Sequence, residues 1–251
     1  MSKRTVDPNE VLLIPGFLGD EAFFQPFQAA LTSHGVRSRV WQGLLENPRA
    51  LLPEHARSLP DHRWMVGYSL GGRILMHRIL DDSVPALEFV TLVSAHTGLP
   101  ETAFLERAKR EESDEEWARK LEDSTFSIEE FLSQWNSQGV FQGGRAHTRS
   151  QESLAHLKER RKDWAWILRQ TSLATQADLA EELRGLPKSK APLWVCGEHD
   201  GKFSDLYATL ESRGVPGEVW RVPQSGHRVP QDTPAALARK IASEMQRRNF
   251  V

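Results

Sequence analysis

Cysteine is nearly absent from this 251-residue chain, because Cys196 is its one thiol. A single cysteine excludes an internal disulfide, which suits the reducing environment of the cytoplasm. Long apolar runs are also missing, since none approaches the roughly 20 residues of a membrane-spanning helix. The basic residues near the N-terminus are not followed by the apolar stretch of a signal peptide. We therefore expect a cytoplasmic protein that has no membrane partner.

An excess of one charge sign is lacking as well, because 32 Lys and Arg residues face 34 Asp and Glu residues. This balance excludes a broad electrostatic attraction to nucleic acid or to an anionic membrane. The chain also contains no Walker motif, no G-x-G-x-x-G motif and no spacing typical of metal ligands. The expected partner is a small molecule, with no cofactor and no metal, and the sequence leaves the oligomeric state open.

The chain does contain a series of short apolar runs, each of which ends in glycine, proline or a small polar residue. These runs do not alternate with polar residues, which is typical of parallel strands buried on both faces. Longer stretches of helical period lie between them and predict an α/β fold with a mostly parallel central sheet flanked by helices. The predicted strands cover residues 11–14, 64–66, 89–93, 193–196 and 219–222, and the predicted helices cover 23–31, 70–80 and 235–245.

The middle of the chain breaks this rhythm, because no convincing strand occurs from about residue 98 to about residue 185. We interpret residues 98–185 as a helical cap inserted into an α/β core formed by residues 1–97 and 186–251. An insertion at the carboxyl ends of the strands would form a lid over a pocket, and the alternative is a helical decoration without a function. The predicted cap helices cover residues 103–121, 127–135, 150–161 and 164–172.

The sequence "GYSLG", residues 67–71, matches the G-x-S-x-G pattern of a nucleophile elbow. An apolar strand precedes it and an amphipathic helix follows, as such an elbow requires. This context predicts that Ser69 is exposed at the top of the sheet and that the Leu70 N–H faces a developing oxyanion. Pro15 has no N–H, so we expect Phe17 to supply a second N–H from the loop after the first strand. The alternative is a pair of plain turns.

A serine hydroxyl needs a base, and the usual chain order on this fold is Ser, then Asp or Glu, then His. Asp200 lies just past one predicted strand and His227 just past the next. Glu198 and Asp205 are alternative acids, which the same topology favours less. The sequence thus predicts a triad of Ser69, Asp200 and His227, and the alternative is an α/β scaffold with an inactive site.

Arg73 follows Ser69 by about one helical turn and is expected on the same face of the helix. A guanidinium near the pocket floor would suit a carboxylate better than a fatty acyl chain. The alternative is an arginine that pairs with an acid beneath the helix.

Several segments together resemble a known family: "GYSLGGR", "GFLGD", "SDEEW", "FLSQW", "TSLATQADL", "CGEHDGKF" and "SGH". They are similar to the MenH family, the 2-succinyl-6-hydroxy-2,4-cyclohexadiene-1-carboxylate synthases of menaquinone biosynthesis. The resemblance implies an α/β-hydrolase-fold lyase that uses no cofactor. Its implied reaction is elimination of pyruvate from 2-succinyl-5-enolpyruvyl-6-hydroxy-3-cyclohexene-1-carboxylate, a substrate with three carboxylates.

The resemblance also implies which residues bind this small anionic substrate. Arg73 matches the arginine after the nucleophile motif, and Arg110 matches an arginine of the first cap helix. Near a third family arginine the alignment leaves three candidates, of which Lys158 is the first choice and Arg160 and Arg161 are alternatives. The full set of implied substrate-binding residues is Tyr68, Arg73, Arg110, Trp135 and Lys158.

The chain departs from the family pattern at several positions. Pro15 stands where many relatives have histidine, and Asn136 stands where a tyrosine often follows the cap tryptophan. These departures leave the predicted triad in place and bear on the identity of the substrate. A carboxylesterase or thioesterase of the same fold is therefore the alternative function, and a non-catalytic binding protein is a further one.

Overall fold

A six-stranded, wholly parallel sheet forms the centre of the computed structural model, which describes residues 10–81, 83, 87–144 and 149–248. The strand order is β2-β1-β3-β4-β5-β6, so the chain reverses its direction of travel across the sheet between β1 and β3. In such sheets ligands bind outside the carboxyl ends of the strands at the reversal. The strands are β1 (Glu10–Ile14), β2 (Arg37–Val40), β3 (Trp64–Tyr68), β4 (Phe89–Val93), β5 (Leu193–Gly197) and β6 (Glu218–Val222).

Helices cover both faces of the sheet, which explains the continuous apolar runs of the strands. Val11 and Leu13 of β1 pack among the side chains of α1 and α11, whereas Leu12 and Ile14 point to the opposite face and pack with α2, α3 and α9. Alternate residues of a strand point to opposite faces, so both sets must be apolar here. The helices are α1 (Glu21–Ser33), α2 (Leu52–Ser58), α3 (Leu70–Leu80), α9 (Gly201–Ser212), α10 (Val229–Asp232) and α11 (Pro234–Arg247).

Five α-helices and no strand occur between β4 and β5 in the described residues, where the sequence predicts four helices and does not predict α8. The ends of α4 and α5 lie within one residue of the predicted ends, whereas α6 stops two residues early and α7 starts three residues early. Among the described helices, none is both long and apolar enough to cross a bilayer. The five are α4 (Phe104–Glu122), α5 (Ile128–Asn136), α6 (Gln151–Glu159), α7 (Arg161–Gln170) and α8 (Ala180–Arg184).

The strand β2 has no counterpart among the predicted strands. Its sequence, Arg-Ser-Arg-Val, contains one apolar residue, and it pairs with β1 alone at the edge of the sheet. An edge strand with an exposed face does not need the apolar run that marks a central strand. The apolar-run criterion therefore finds the central strands and misses this one.

Candidate active site

Ser69 occupies a sharp turn between β3 and α3, and this turn holds its backbone in the left-handed region with φ of +51°. A non-glycine residue in this region is strained and persists only where the surrounding structure enforces it. The Ser69 N–H is tied to the carbonyl of Val93 at the end of β4, at 2.8 Å. Its side chain is partly exposed, so the strained turn presents the hydroxyl outside the carboxyl end of the sheet.

The glycines around Ser69 are required by close backbone packing. A Cβ on Gly67 would lie 2.6 Å from the carbonyl oxygen of Gly71, and a Cβ on Gly71 would lie 2.2 Å from the carbonyl oxygen of Ile14. Real Cβ atoms essentially never approach this closely. The G-x-S-x-G spacing is therefore a steric requirement for seating the first turn of α3 against β1 and β3.

We expect Gly71→Ala to destabilise the fold by about 2 kcal/mol or more, because overpacking against sheet backbone cannot be relieved by a side-chain rotation. Gly201→Ala is the matched control, since a Cβ on this first residue of α9 would meet no described atom within 4 Å. Replacing a helical glycine by alanine stabilises by up to about 1 kcal/mol. Thermal melts followed by circular dichroism should show a lower Tm for Gly71→Ala alone. Equal melting of Gly71→Ala and the wild type would contradict the steric account.

Asp200 and His227 meet outside the carboxyl ends of β5 and β6. The imidazole Nδ1 lies 2.8 Å from Asp200 Oδ2, and both residues are buried. The two loops are held together because the His199 N–H donates to the carbonyl of Ser225 at 2.9 Å. With Nδ1 donating to the carboxylate, Nε2 is left free to accept a proton.

The two alternative acids do not contact the imidazole. The Glu198 carboxylate accepts from the Gln224 N–H at 3.1 Å, within the turn that precedes His227. Asp205 is exposed on α9. Between these candidates, the geometry therefore favours Asp200 as the partner of His227.

Ser69 and His227 both line a cavity of about 330 Å³, which we call the main cavity. It lies beneath helices α4, α5 and α7 and beside the start of α3. Seven of the sequence-predicted site residues line it: Phe17, Ser69, Leu70, Arg73, Arg110, Trp135 and His227. Ser69 is partly exposed rather than buried, and it lines this cavity together with His227.

Arg73 is buried at the wall of the main cavity, and no acidic side chain among the described residues forms an ion pair with it. Its Nε donates to the side-chain oxygen of Gln176, and a second guanidinium nitrogen donates to the carbonyl of Thr171. Both acceptors belong to the "TSLATQADL" segment, and neither carries a charge. Burial and the positive charge of Arg110 together lower the pKa of Arg73 to about 9, and the negative charge of Asp114 opposes this shift. At neutral pH the guanidinium remains charged, so a carboxylate entering the cavity would find a cation without a bound counter-ion.

Arg110 reaches the main cavity from α4, but it has a partner. Its Nε donates to Asp114 Oδ2 at 2.7 Å, and the hydroxyl of Ser172 donates to the same oxygen at 2.7 Å. Asp114 is buried, whereas Arg110 is partly exposed. An anionic ligand would therefore have to share Arg110 with Asp114.

Residues 11–240 match the family described as "Alpha/beta hydrolase family". The chain belongs to the alpha/beta hydrolase family. Within this family its curated relatives are MenH-like. The 2-succinyl-6-hydroxy-2,4-cyclohexadiene-1-carboxylate synthase of Escherichia coli O7:K1 is 30% identical over 185 residues, which are 74% of this chain and 68% of that protein. The protein of the same name from Shigella sonnei is 31% identical over 179 residues, covering 71% of this chain and 66% of its own length, slightly under two thirds.

Solved structures of the alpha/beta hydrolase family share the fold over nearly the whole chain. MenH from S. aureus superposes with a TM-score of 0.72 at 18% identity, and the alignment covers 98% of this chain and 97% of the S. aureus chain. A thermophilic esterase from Thermogutta terrifontis superposes with a TM-score of 0.63 at 15% identity, and the alignment covers 95% of this chain and 89% of the esterase chain. Because a MenH and an esterase share it, the fold does not decide between elimination and ester hydrolysis.

The third cation implied by the MenH resemblance does not reach the main cavity. Lys158 is exposed on α6 and does not line this cavity. Arg160 donates to the carbonyl of Leu45, and Arg161 donates to the last carbonyls of α4. None of the three candidates from that region is therefore placed to bind a ligand beside Ser69.

His96 and Lys202 line the main cavity and are not among the sequence-based candidates. His96 Nδ1 accepts from the Gly98 N–H at 3.1 Å. Burial, together with the nearby positive charges of Lys202, Arg73 and Arg110, lowers the pKa of His96 to about 3. The imidazole is thus neutral, with its proton on Nε2 available for donation. His96 lies three residues past the end of β4, and Lys202 is the second residue of α9, in the segment that follows β5. Their position after two strands was the signal that could have revealed them.

Tyr68 is placed differently from the other predicted substrate-binding residues. It lines a smaller cavity of about 60 Å³, which we call the narrow cavity and which shares Ser69, Phe17, Trp135 and Phe141 with the main cavity. Burial raises the pKa of the Tyr68 hydroxyl well above its usual value. The phenol therefore stays protonated at neutral pH and can act as a hydrogen-bond donor.

Proposed function

We propose that this MenH-like alpha/beta hydrolase is a lyase that eliminates pyruvate from 2-succinyl-5-enolpyruvyl-6-hydroxy-3-cyclohexene-1-carboxylate. The product would be 2-succinyl-6-hydroxy-2,4-cyclohexadiene-1-carboxylate. The observation that carries the proposal is Arg73, a buried guanidinium beside Ser69 whose hydrogen-bond acceptors are both neutral. A site built for a fatty ester would gain nothing from such a charge, whereas a carboxylate substrate would.

In the proposed mechanism Ser69 acts as a base. His227 Nε2 takes the hydroxyl proton of Ser69 while Asp200 stabilises the imidazolium that forms. The serine oxygen takes the proton from ring carbon C2, which bears the succinyl group. The electrons of that C–H bond form the C2=C3 double bond, the electrons of the C3=C4 bond move to C4=C5, and the C5–O bond to the enolpyruvyl group breaks. The enolpyruvate that leaves takes up a proton and becomes pyruvate, so no acyl-enzyme forms.

The N–H groups of Phe17 and Leu70 are the proposed donors to the charge that develops. As the C2 proton departs, negative charge develops on the ketone oxygen of the adjoining succinyl group, and fixed backbone donors stabilise it without reorganising. Leu70 is the first residue of α3, where helix N–H groups have no partner within the helix. Phe17 supports this role because it lines the main cavity from the loop that follows β1.

The helical stretch 98–185 is proposed to act as a lid that supplies part of the anion site. Arg110 of α4 and Trp135 of α5 reach the main cavity from it, and Lys202 reaches the cavity from the core. Arg73 is itself oriented by Gln176 and Thr171 at the end of this stretch. In this proposal Lys202 takes the place given to Lys158 by the resemblance.

Ester hydrolysis is the alternative function, favoured by the likeness of the fold to solved esterase structures such as the one from Thermogutta terrifontis. The two functions use Ser69 differently, as a base in the lyase and as an acyl carrier in the esterase. A trapped acyl group on Ser69 therefore separates them.

We expect intact-protein mass spectrometry of the enzyme turning over its enolpyruvyl substrate to show no covalent adduct. With p-nitrophenyl acetate we expect no burst of nitrophenol comparable to the enzyme concentration. Ser69→Ala is the control, since any adduct on another residue would persist in this variant. A stoichiometric acyl adduct that disappears in Ser69→Ala, together with efficient ester turnover, would contradict the lyase and establish the esterase.

A further inference from the structure

The narrow cavity contains two buried arginines that the proposed mechanism does not use. Arg149 precedes α6 and Arg228 directly follows His227. The side chain of Arg149 is 11% exposed, and Arg228 as a whole is 8% exposed. Ser69 lies on the wall of both cavities, so these arginines flank the proposed base on a different side from Arg73.

Arg228 has no counter-ion in the part of the chain that the structure describes. Its guanidinium donates to the Asn136 side-chain oxygen, hydrogen-bonds the hydroxyl of Tyr68 and lies 4.1 Å from the centre of the Phe141 ring. All three partners are neutral. None of the ion pairs between described residues includes Arg228.

Arg149 has one carboxylate partner. It donates to Asp20 Oδ2 at 2.9 Å and to the carbonyl of Leu18. Burial lowers the pKa of Arg149, Asp20 opposes this shift, and the positive charge of Arg228 adds to it. The narrow cavity therefore holds two guanidinium groups against one contacting carboxylate. Burying such an excess of charge costs free energy, which a bound anion would offset.

The size and walls of the narrow cavity limit what it can hold. Its volume of about 60 Å³ suits a few water molecules or one carboxylate group, and it is too small for a ring. Phe17, Trp135 and Phe141 contribute apolar walls, which strengthen a charge-assisted hydrogen bond by keeping bulk water away. A guanidinium presents donors in a planar fork that matches a carboxylate.

We propose that Arg228 and Arg149, with the Tyr68 hydroxyl, form a second carboxylate subsite in the narrow cavity. The substrate is then held by at least two carboxylates, one beside Arg73 and one beside Arg228, with Ser69 between the two cations. This inference rests on the proposed function, because it assigns a further group of the same anionic substrate. It also gives the Asn136 departure a role, since Asn136 positions Arg228.

Binding of small acids tests the subsite without using catalysis. The probes are succinate, glutarate and adipate, each compared with the monocarboxylate of equal carbon number: butyrate, pentanoate and hexanoate. Isothermal titration calorimetry measures the affinities for the wild type, Arg228→Gln and the control Arg221→Gln. Arg221 is exposed on β6, where it hydrogen-bonds Glu211, and it lines neither cavity.

We expect at least one diacid to bind the wild type ten times more tightly than its monoacid. Arg228→Gln should reduce the affinity for this diacid about tenfold, to that of the monoacid, and Arg221→Gln should leave it within twofold. If Arg228→Gln does not fold, Arg228→Lys is the second variant, because it keeps the charge and removes the planar guanidinium. We expect Arg228→Lys to bind the diacid at least threefold more weakly than the wild type. The proposal is overturned if no diacid is preferred, or if the folded Arg228 variant binds it like the wild type.

Combined with an assay of pyruvate release, this titration separates the inferred subsite from the proposed reaction. A protein that releases no pyruvate, yet loses its diacid preference in Arg228→Gln, retains the subsite and loses the proposed lyase activity. A protein that releases pyruvate, with diacid binding unaffected by Arg228→Gln, retains the reaction and loses the subsite.

Discussion

Ser69→Ala, His227→Ala and Asp200→Asn should each lower turnover by about three to six orders of magnitude. The expectation follows from the shared task of the three residues, because the serine is a base only while His227 accepts its proton. Asp200→Asn keeps the volume of the side chain and removes the charge that stabilises the imidazolium. Steady-state rates on the enolpyruvyl substrate, followed as pyruvate release, measure the effect.

The combined variants give a sharper test than the single ones. Residues that act as a unit show effects that do not multiply, so the double variant of Ser69 and His227 should be about as slow as either single variant. Ser212→Ala and Asp205→Asn are matched controls, since both residues are exposed on α9 and neither contacts His227. Rates of Ser69→Ala within tenfold of the wild type would remove Ser69 from the mechanism.

Arg73→Gln is expected to have the second largest effect, a loss of about 2–5 kcal/mol of transition-state binding. This corresponds to a fall in kcat/KM of about 30-fold to about 5,000-fold. The loss arises because the substrate carboxylate would be left in the main cavity without its cation. Glutamine keeps an uncharged side-chain N–H donor at this position and removes the buried charge, so we expect the fold to persist.

Arg221→Gln is the control for Arg73→Gln, because it removes one positive charge from an exposed site. Circular dichroism melts of both variants separate loss of folding from loss of function. If Arg73→Gln melts cooperatively and keeps kcat/KM within threefold of the wild type, Arg73 does not bind the substrate.

The core of the fold was predictable because its strands are buried on both faces. The runs at 64–66 and 193–196 must be apolar throughout, and they end where small residues begin the functional loops. The edge strand β2 carries an exposed and a partly exposed arginine and gives no such signal. The helix α6 was predicted too long, because its pattern continues into Arg160, where the chain turns before α7 begins.

The candidate site was predictable where one local motif sets the geometry. Gly67 and Gly71 are dictated by backbone clearance against α3 and β1, and this requirement leaves a recognisable G-x-S-x-G pattern around Ser69. The placement of the proposed anion-binding residues depends instead on long-range packing. Arg149, just before α6, lines the narrow cavity together with Ser69, whereas Lys158 on that helix is exposed, although the two are close in sequence. Charge and spacing alone do not distinguish these two cations.

Release of pyruvate from the enolpyruvyl substrate tests the proposed elimination most directly. Pyruvate is coupled to lactate dehydrogenase, and the conjugated ring diene is followed by its ultraviolet absorption. One elimination makes both products, so the two signals should appear at equal rates with the wild type and at background rates with Ser69→Ala. Efficient cleavage of short esters by the wild type, with no release of pyruvate, would contradict the account.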